Sequence, residues 1–318
     1  MRAFTGPVGI LGAGGKMGLH VASMFRLALN GAGRPEVPVT AVSRFTSLRS
    51  TDDFEKSGIP TIAADLLNPR ELETLPEFGT VIFMAGMKFG SSDNPELLRQ
   101  FNEEMPAMVA RRYRSSVIVA LSTGCVYPFV TPASGGSRES DVPGPSGEYA
   151  VSCMGRERAF EKVSLEQGTP TVLVRLNYSV EFRYGVLVDI AQKVLAGKAI
   201  DVTTGYVNVI WQRDAVEHIL RSVALAQSPA VPLNVAGLPM VSVREIAGQF
   251  GKLFGKEVAI IGTEAPTAWL NNPEKAHALF GAPAASLSEM IEWVAAWLLH
   301  GGETLGKPTK FERRDGKF

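Results

Sequence analysis

The chain has 318 residues, of which 45% are hydrophobic, so it is long enough for one large domain or for a nucleotide-binding domain with a smaller companion. Its 32 basic and 32 acidic residues cancel, which argues against a nucleic-acid-binding protein, and no apolar run approaches the ~20 residues of a membrane span. The balanced charge makes a small-molecule ligand the expected partner. Two cysteines and four histidines without metal-ligand spacing predict a reducing compartment and no metal site, and a cytoplasmic location is expected.

Apolar runs of strand length alternate with helical segments along the first half of the chain. The predicted strands are VGIL (8–11), VTAVS (39–43), TVIFMAG (80–86), SVIVALS (116–122) and TVLVRL (171–176). Such strands are typical of a parallel sheet that is buried on both faces. The fold class is therefore α/β, a doubly wound Rossmann sheet over residues 1–176, with a smaller C-terminal substrate-binding region over 177–318. Within that region, residues 208–236 are expected to return to the Rossmann domain.

Three glycines at three-residue spacing follow the first strand and open the first predicted helix, 18–31. Gly12, Gly15 and Gly18 lie in GILGAGGKMG, a pattern that lets the backbone approach a pyrophosphate at a helix N-terminus. A phosphate loop is excluded, because Lys16 is followed by Met17 rather than by Ser or Thr. The turn predicts dinucleotide binding.

The end of the second strand reads Ser43-Arg44 and has no acidic residue to accept hydrogen bonds from the adenine ribose. Arg44 suits a 2′-phosphate, so NADP is slightly favoured over NAD as the NAD(P) cofactor. Asp65 is expected to meet the adenine edge or to cap a helix. The full set of predicted cofactor contacts is Gly12, Gly15, Lys16, Met17, Gly18, Ser43, Arg44, Asp65, Leu66, Ala85, Gly86, Asn102 and Asn177.

Motifs along nearly the whole chain give it a family resemblance. They are GAGGKMG, TVIFMAG, Asn102 in FNEEMP, ALSTGCVYP, RESDVP before Tyr149, VRLNYSV, VIWQRDAVEHI and LNVAGLPMVSVREIA. In order and spacing the chain resembles the extended short-chain dehydrogenase/reductase family, the NAD-dependent epimerase/dehydratase group that acts on sugars.

The resemblance implies a catalytic tyrosine, Tyr149, with Thr123 and the adjacent Ser122 as the hydroxyl group that holds the substrate. In the family, the tyrosine transfers a proton while hydride passes to or from the nicotinamide. In the family, a lysine four residues after the tyrosine normally lowers the pKa of the tyrosine, but in this chain Cys153 occupies that position. A neutral thiol cannot replace it, since lowering a phenol pKa by ~3 units takes about 4 kcal/mol.

Several outcomes of this replacement remain open. Another cation could substitute, and Lys88 after the fourth strand is preferred over Arg156, which lies two turns beyond Tyr149. Tyr149 could instead act only as a neutral donor, or catalysis could be lost and the fold kept as a dinucleotide sensor. Cys153 as a nucleophile is disfavoured, because no histidine lies near it in sequence.

The second half of the chain is expected to form the substrate pocket. Its predicted lining residues are Lys88, Asn177, Tyr178, Arg183, Asn208, Trp211 and Arg213. Helices near 95–113 and 149–166 correspond to those through which the family pairs, so a homodimer is expected by analogy. The polar tail, 303–318, is expected to be solvated or packed against a partner.

The sequence thus predicts an NAD(P)-dependent epimerase, dehydratase or dehydrogenase of a sugar or nucleotide sugar, with an atypical active site. The alternative is a non-catalytic NAD(P)-binding sensor. Tyr149, Thr123 and Asn102 favour the enzyme, and Cys153 favours the sensor.

Overall fold

The computed structural model describes residues 6–46, 50–87 and 94–315. Its strands, numbered in chain order, are β1 Val8–Leu11, β2 Val39–Ser43, β3 Thr61–Ala63, β4 Thr80–Phe83, β5 Val117–Thr123, β6 Thr171–Leu176, β7 Ser179–Val180, β8 Ile200–Asp201, β9 Tyr206–Val207, β10 Ile210–Trp211, β11 Val231–Val235, β12 Val241–Ser242 and β13 Ile260–Ile261.

The α-helices are α1 Gly18–Gly31, α2 Asp52–Lys56, α3 Pro69–Thr74, α4 Pro95–Arg99, α5 Met105–Arg112, α6 Glu148–Gln167, α7 Val186–Leu195, α8 Gln212–Ser222, α9 Val243–Phe254, α10 Glu274–Phe280 and α11 Leu287–Leu299. A π-helical turn, Gln100–Glu104, joins α4 to α5. In the described ranges, none of the helices combines the length and the hydropathy that a bilayer crossing requires.

The predicted central sheet is confirmed. Seven strands lie in the order β11-β6-β5-β4-β1-β2-β3, and the pairs β1–β2, β1–β4, β2–β3 and β4–β5 are parallel. β1 and β4 are buried along their whole length, as their unbroken apolar sequences require. Because the strands are parallel, their carboxyl ends meet at one edge of the sheet, where ligands bind in this class of fold.

The chain divides into two compact units. The first comprises the described residues within Met1–Thr123, Glu148–Arg175 and Val216–Leu233, and it contains most of the sheet. The second comprises those within Gly124–Gly147, Leu176–Ala215 and Asn234–Phe318. Its core is built from the apolar faces of α7, α9 and α11.

The tail is packed onto the second unit, so the expectation of a solvated or partner-packed terminus is wrong for its central part. Thr309 and Phe311 are buried. The backbone N–H and the hydroxyl of Thr309 both donate to Asp189 on α7, at 2.7 and 2.6 Å. Arg314 donates to the carbonyl of Thr267 and lies over the ring of Phe129.

Candidate active site

The turn between β1 and α1 brings the backbone close to the strand beside it. Gly12 has φ +90°, and a Cβ added there would lie 2.5 Å from the backbone nitrogen of Ala85. A Cβ on Gly18 would lie 1.8 Å from the carbonyl oxygen of Ala13, whereas one on Gly15 would meet only an ordinary contact at 3.5 Å. The backbone packs so closely at Gly12 and Gly18 that only glycine fits there, whereas an alanine at Gly15 would meet no clash among the described residues.

The amino end of α1 can accept an anion. Met17 is its N-cap residue, no side chain caps the first turn, and the first turn has no acidic residue. Unpaired N–H groups and the helix dipole favour negative charge at such an end. The helix ends at Gly31, as predicted.

A cleft of about 240 Å³ opens between this turn and the ends of the neighbouring strands. Eight of the predicted cofactor residues line it: Gly12, Gly15, Ser43, Arg44, Asp65, Leu66, Ala85 and Gly86. Lys16, Met17, Gly18, Asn102 and Asn177 are not among its lining residues. Phe101 and Met105 also line it, and no sequence pattern had marked either one.

Arg44 lines the cleft, and its guanidinium lies between the ring of Phe101 and the carboxylate of Asp65. Its guanidinium carbon is 5.2 Å from the centre of the Phe101 ring, and Nη1 is 3.9 Å from Oδ2 of Asp65. Both charged side chains are partly exposed, so this ion pair contributes little to stability. Asp65 also accepts a hydrogen bond from the backbone of Leu67, and Asn68 rather than Asp65 caps α3.

The two hydroxyl residues at the end of β5 have different surroundings. Thr123 is the last residue of the strand and lies at its carboxyl end. Ser122 donates to Oε1 of Glu157, whose carboxylate is fully buried and also accepts hydrogen bonds from Nε and Nη2 of Arg175. The hydroxyl of Ser122 therefore belongs to the interior between β5 and α6, which corrects its prediction as a catalytic group.

Tyr149 is the second residue of α6 and is partly buried. Cys153 follows one turn later and has no exposed surface, so a substrate cannot reach its thiol. This burial argues against a role for Cys153 as a nucleophile. The predicted cation Lys88 lies outside the described residues.

Asn102 lies in the π-helical turn, and all of its side-chain capacity is used internally. Its Oδ1 accepts from the backbone N–H of Met87 and from Arg156, while Nδ2 donates to the carbonyl of Met87 and to Ser152. Two of these bonds hold Met87, just after β4, and the other two join the turn to α6. Asn102 therefore positions the cleft wall, and any role in cofactor binding is indirect. Single π turns occur frequently at functional sites.

In the second unit, two of the predicted substrate residues form a buried amide network. Nδ2 of Asn177 donates to Oδ1 of Asn208 at 3.1 Å and to the carbonyl of Trp269 at 3.3 Å. Asn208 has no exposed surface, and it donates to the carbonyls of Gly237 and Asn271. Asn208 thus holds loops together instead of lining a pocket, which corrects its prediction as a substrate contact.

Tyr178 has the left-handed backbone conformation, φ +46°, which is rare for a bulky residue and occurs often at functional sites. Burial raises the pKa of its phenol. Trp211 packs against the rings of Phe182 and Trp293, at 5.0 and 5.2 Å between centres.

The two predicted substrate arginines already have acidic partners. Arg183 pairs with Glu181 at 3.1 Å, and Arg213 pairs with Asp214 at 2.7 Å. Both remain partly exposed. Either could still bind an anionic group, but only in competition with its own carboxylate.

Asn271 is a candidate that sequence reasoning missed. Its side chain is fully buried, and neither its nitrogen nor its oxygen has a hydrogen-bond partner in the part of the chain that the structure describes. A Cβ added to Gly124 would lie 2.5 Å from its Oδ1. A buried carboxamide without partners is costly, which is the property of a group that binds a ligand or an ordered water. The segment WLNNPEKA offers no signal of this.

The fold is similar to those of solved nucleotide-sugar enzymes. A UDP-glucuronic acid 4-epimerase from Bacillus cereus, solved with NAD, is 17% identical, with a TM-score of 0.77 over 92% of this chain and 99% of that one. A UDP-glucose 4-epimerase from Thermus thermophilus, also with NAD, is 19% identical, with a TM-score of 0.74 over 91% and 98%. MoeE5, solved with UDP-glucose and NAD, is 19% identical, with a TM-score of 0.72 over 93% and 99%.

No curated protein matches the chain. The family model described as the NAD dependent epimerase/dehydratase family matches residues 8–229, a span that contains the glycine turn, the cleft, Thr123 and Tyr149. The resemblance inferred from the sequence motifs is confirmed, and the chain belongs to the NAD dependent epimerase/dehydratase family.

Proposed function

We propose that the protein is an NAD(P)-dependent epimerase, dehydratase or dehydrogenase that acts on a hydroxyl-bearing carbon of a sugar or nucleotide sugar. One observation carries the proposal: the first unit combines a cleft beside the glycine turn with Thr123 at the end of β5 and Tyr149 at the start of α6. The three solved relatives bind NAD, and MoeE5 also binds UDP-glucose, which supports a sugar nucleotide as the first substrate to test.

The residues of the cleft fit a dinucleotide. Gly12 packs where any side chain would strike Ala85, Gly15 lines the cleft with only an ordinary contact at its Cβ position, and the first turn of α1 has no side-chain cap. The pyrophosphate would be held at this helix end, and the adenosine by Ser43, Arg44 and Asp65. When bound, the nicotinamide supplies hydride transfer chemistry.

Thr123 and Tyr149 would both bind the substrate hydroxyl group, Thr123 as a hydrogen-bond donor and Tyr149 as the proton acceptor. The threonine hydroxyl orients the substrate oxygen by a hydrogen bond, and the tyrosine phenolate takes the proton from that oxygen. Proton transfer by a positioned side chain typically contributes a factor of about 10²–10⁴ in rate. This role requires some stabilisation of the phenolate, because Cys153 cannot supply it.

We propose NADP as the preferred cofactor. Arg44 lines the cleft directly after β2, where this class of fold binds the adenine ribose, and no carboxylate follows β2 to reject a 2′-phosphate. A bound phosphate would offer Arg44 a stronger partner than the 3.9 Å contact with Asp65.

The second candidate function, a non-catalytic dinucleotide sensor, is favoured by Cys153, which is a buried and inert thiol where the family has a lysine. Incubating the protein with NAD or NADP and a panel of free and UDP-linked sugars, followed by mass spectrometry of the products, separates the two. Loss of turnover in Tyr149→Phe with cofactor binding intact supports the enzyme. Cofactor binding without turnover by the unmodified protein supports the sensor.

We also propose a homodimer. Val151 and Leu165 on α6 are 51% and 70% exposed, although both side chains are apolar. A helix that packs against a second copy of the chain would cover them. Analytical sedimentation of the wild type and of Leu165→Glu tests this proposal. A dimeric wild type and a monomeric variant are expected, and a monomeric wild type would contradict the proposal.

A further inference from the structure

A buried arginine lies directly beneath the cleft. The side chain of Arg156, on α6, is only 7% exposed. Its Nη1 donates to the carbonyl of Leu121 on β5 at 3.0 Å, and its Nη2 donates to Oδ1 of Asn102. A Cβ added to Gly86 would lie 2.1 Å from Nη2. The guanidinium therefore packs against the backbone of a residue that lines the cleft.

The charge of Arg156 is not neutralised within the described residues. Its partners are an amide oxygen and a backbone carbonyl, and Nε has no partner. Other arginines with little exposure differ: the buried Arg175 pairs with Glu157, and the partly buried Arg112 pairs with Glu77. Burial of an unpaired charge is costly, so its retention calls for an anion that binds or forms nearby.

A chain of hydrogen bonds connects this charge to the start of α6. Arg156 donates to Asn102, Asn102 donates to Ser152 at 2.9 Å, and Ser152 donates to the carbonyl of Tyr149 at 2.8 Å. Arg156 lies two turns after Tyr149 on the same helix face, and helix side chains lean toward the N-terminus, which is the end of α6 that carries Tyr149.

Other charged groups also face α6. Glu103 packs against Gly155 without forming an ion pair with Arg156, and the Glu157–Arg175 pair is internally balanced. Among the described groups, Arg156 is thus the positive charge next to the cleft floor that no acid offsets.

We infer that Arg156 replaces the missing lysine as a positioning residue: its guanidinium stabilises the phenolate of Tyr149 and, through Asn102, holds the cleft wall at Gly86 and Met87. This rests on the proposed function. It also differs from the sequence analysis, which preferred Lys88 as the substituting cation.

The test is the titration of Tyr149, measured as the difference in phenolate absorbance between a chain with Tyr149 and the same chain with Tyr149→Phe. In the wild type, the pKa of this phenol is expected about one unit below 10, and Arg156→Met is expected to raise it by about one unit, a tenfold change in the equilibrium. Arg156→Lys, which keeps the charge, is expected to retain most of the shift. A purely structural role would leave the pKa unchanged in all of these chains.

Lys88→Met is the competing variant, and Arg112→Met, which removes an arginine far along α5, is the matched control. Both are expected to keep the lowered pKa. If Arg156→Met does not fold, the inference is tested by the pKa of Tyr149 in the wild type and in Lys88→Met. A wild-type pKa of 10 or higher, or loss of the shift in Lys88→Met, would overturn the inference.

The affinity for NADP, titrated without any sugar, gives a second readout. We expect Arg156→Met to bind it about tenfold more weakly than Arg112→Met. Equal affinities would contradict the role at the cleft wall. A wild type that binds no pyridine nucleotide but shows the lowered pKa would refute the proposed function and leave the electrostatic role of Arg156 intact.

Discussion

The hydroxyl of Ser122 donates a 2.5 Å hydrogen bond to Oε1 of Glu157, so β5 and α6 are joined by a buried polar contact directly beside the candidate catalytic threonine. Arg175 on β6 donates to the same carboxylate through Nε and Nη2. Successive residues of a strand point to opposite faces, so Ser122 and Thr123 cannot share one role.

Ser122→Ala and Thr123→Ala are therefore expected to have opposite effects. Ser122→Ala removes a hydrogen bond to a buried carboxylate and should lower the free energy of unfolding by about 1.5–3 kcal/mol while turnover is kept. Thr123→Ala should lower turnover by about 100-fold with a small change in stability. Chemical denaturation and product formation measure the two effects, and a loss of turnover confined to Ser122→Ala would reverse the assignment.

Gly12→Ala is expected to destabilise the protein by about 1–3 kcal/mol, because alanine is strained at φ +90° and its Cβ would strike Ala85. Gly15→Ala should fold normally but bind dinucleotide more weakly, since Gly15 lines the cleft. Gly31→Ala is the control: no atom lies within 4 Å of its Cβ position, and alanine favours the helix. Thermal denaturation and nucleotide titration of the three variants check this, and equal behaviour of Gly12→Ala and Gly31→Ala would contradict it.

Arg44→Ala is expected to weaken NADP binding by about 10- to 100-fold, because a charge-assisted hydrogen bond contributes about 1.5–3 kcal/mol. NAD has no 2′-phosphate, so its affinity should change little. Calorimetric titration of both cofactors into wild type and variant measures the difference. Equal losses for the two would remove the reason for preferring NADP.

Asp189 provides a pH-dependent test of the tail's attachment. Burial raises the pKa of its carboxyl above the ordinary 3.8, although hydrogen bonds from Thr309 oppose the shift. A raised pKa in the folded state means that ionisation costs stability. This cost is absent below pH 3.8 and grows as the pH rises through the raised value. Asp189→Asn should therefore gain stability relative to wild type between about pH 3 and pH 7.

Denaturation curves at the two pH values measure this gain. Glu36→Gln, which alters an exposed carboxylate, is the control and should show no comparable trend. A stability difference for Asp189→Asn that is the same at both pH values would show that the carboxyl is not destabilised by burial.

The parts of the fold that depend on local patterns could be predicted from the sequence. The unbroken apolar runs identified β1, β2, β4, β5 and β6, with ends that shifted by up to three residues. The helix at 18–31 was confirmed at both ends. The two-residue strands of the second unit carry too few residues to show a period.

The candidate site was predictable only in part, because the direction and burial of a side chain depend on packing. The glycine spacing and Arg44 identified the cleft, since these are adjacent to strand ends. The sequence could not show that Ser122 points toward Glu157, that Cys153 is fully buried, or that Gly86 makes room for the guanidinium of Arg156. Each of these depends on contacts between residues far apart in the chain.

The central claim, that the turn at the start of α1 and the adjoining cleft hold a pyridine dinucleotide, is tested most directly by a crystal structure grown with saturating NADP. The account predicts electron density along Gly12 and Gly15, with the pyrophosphate at the amino end of α1 and the 2′-phosphate at Arg44. A cleft that stays empty under these conditions, or nucleotide bound elsewhere on the chain, would contradict it.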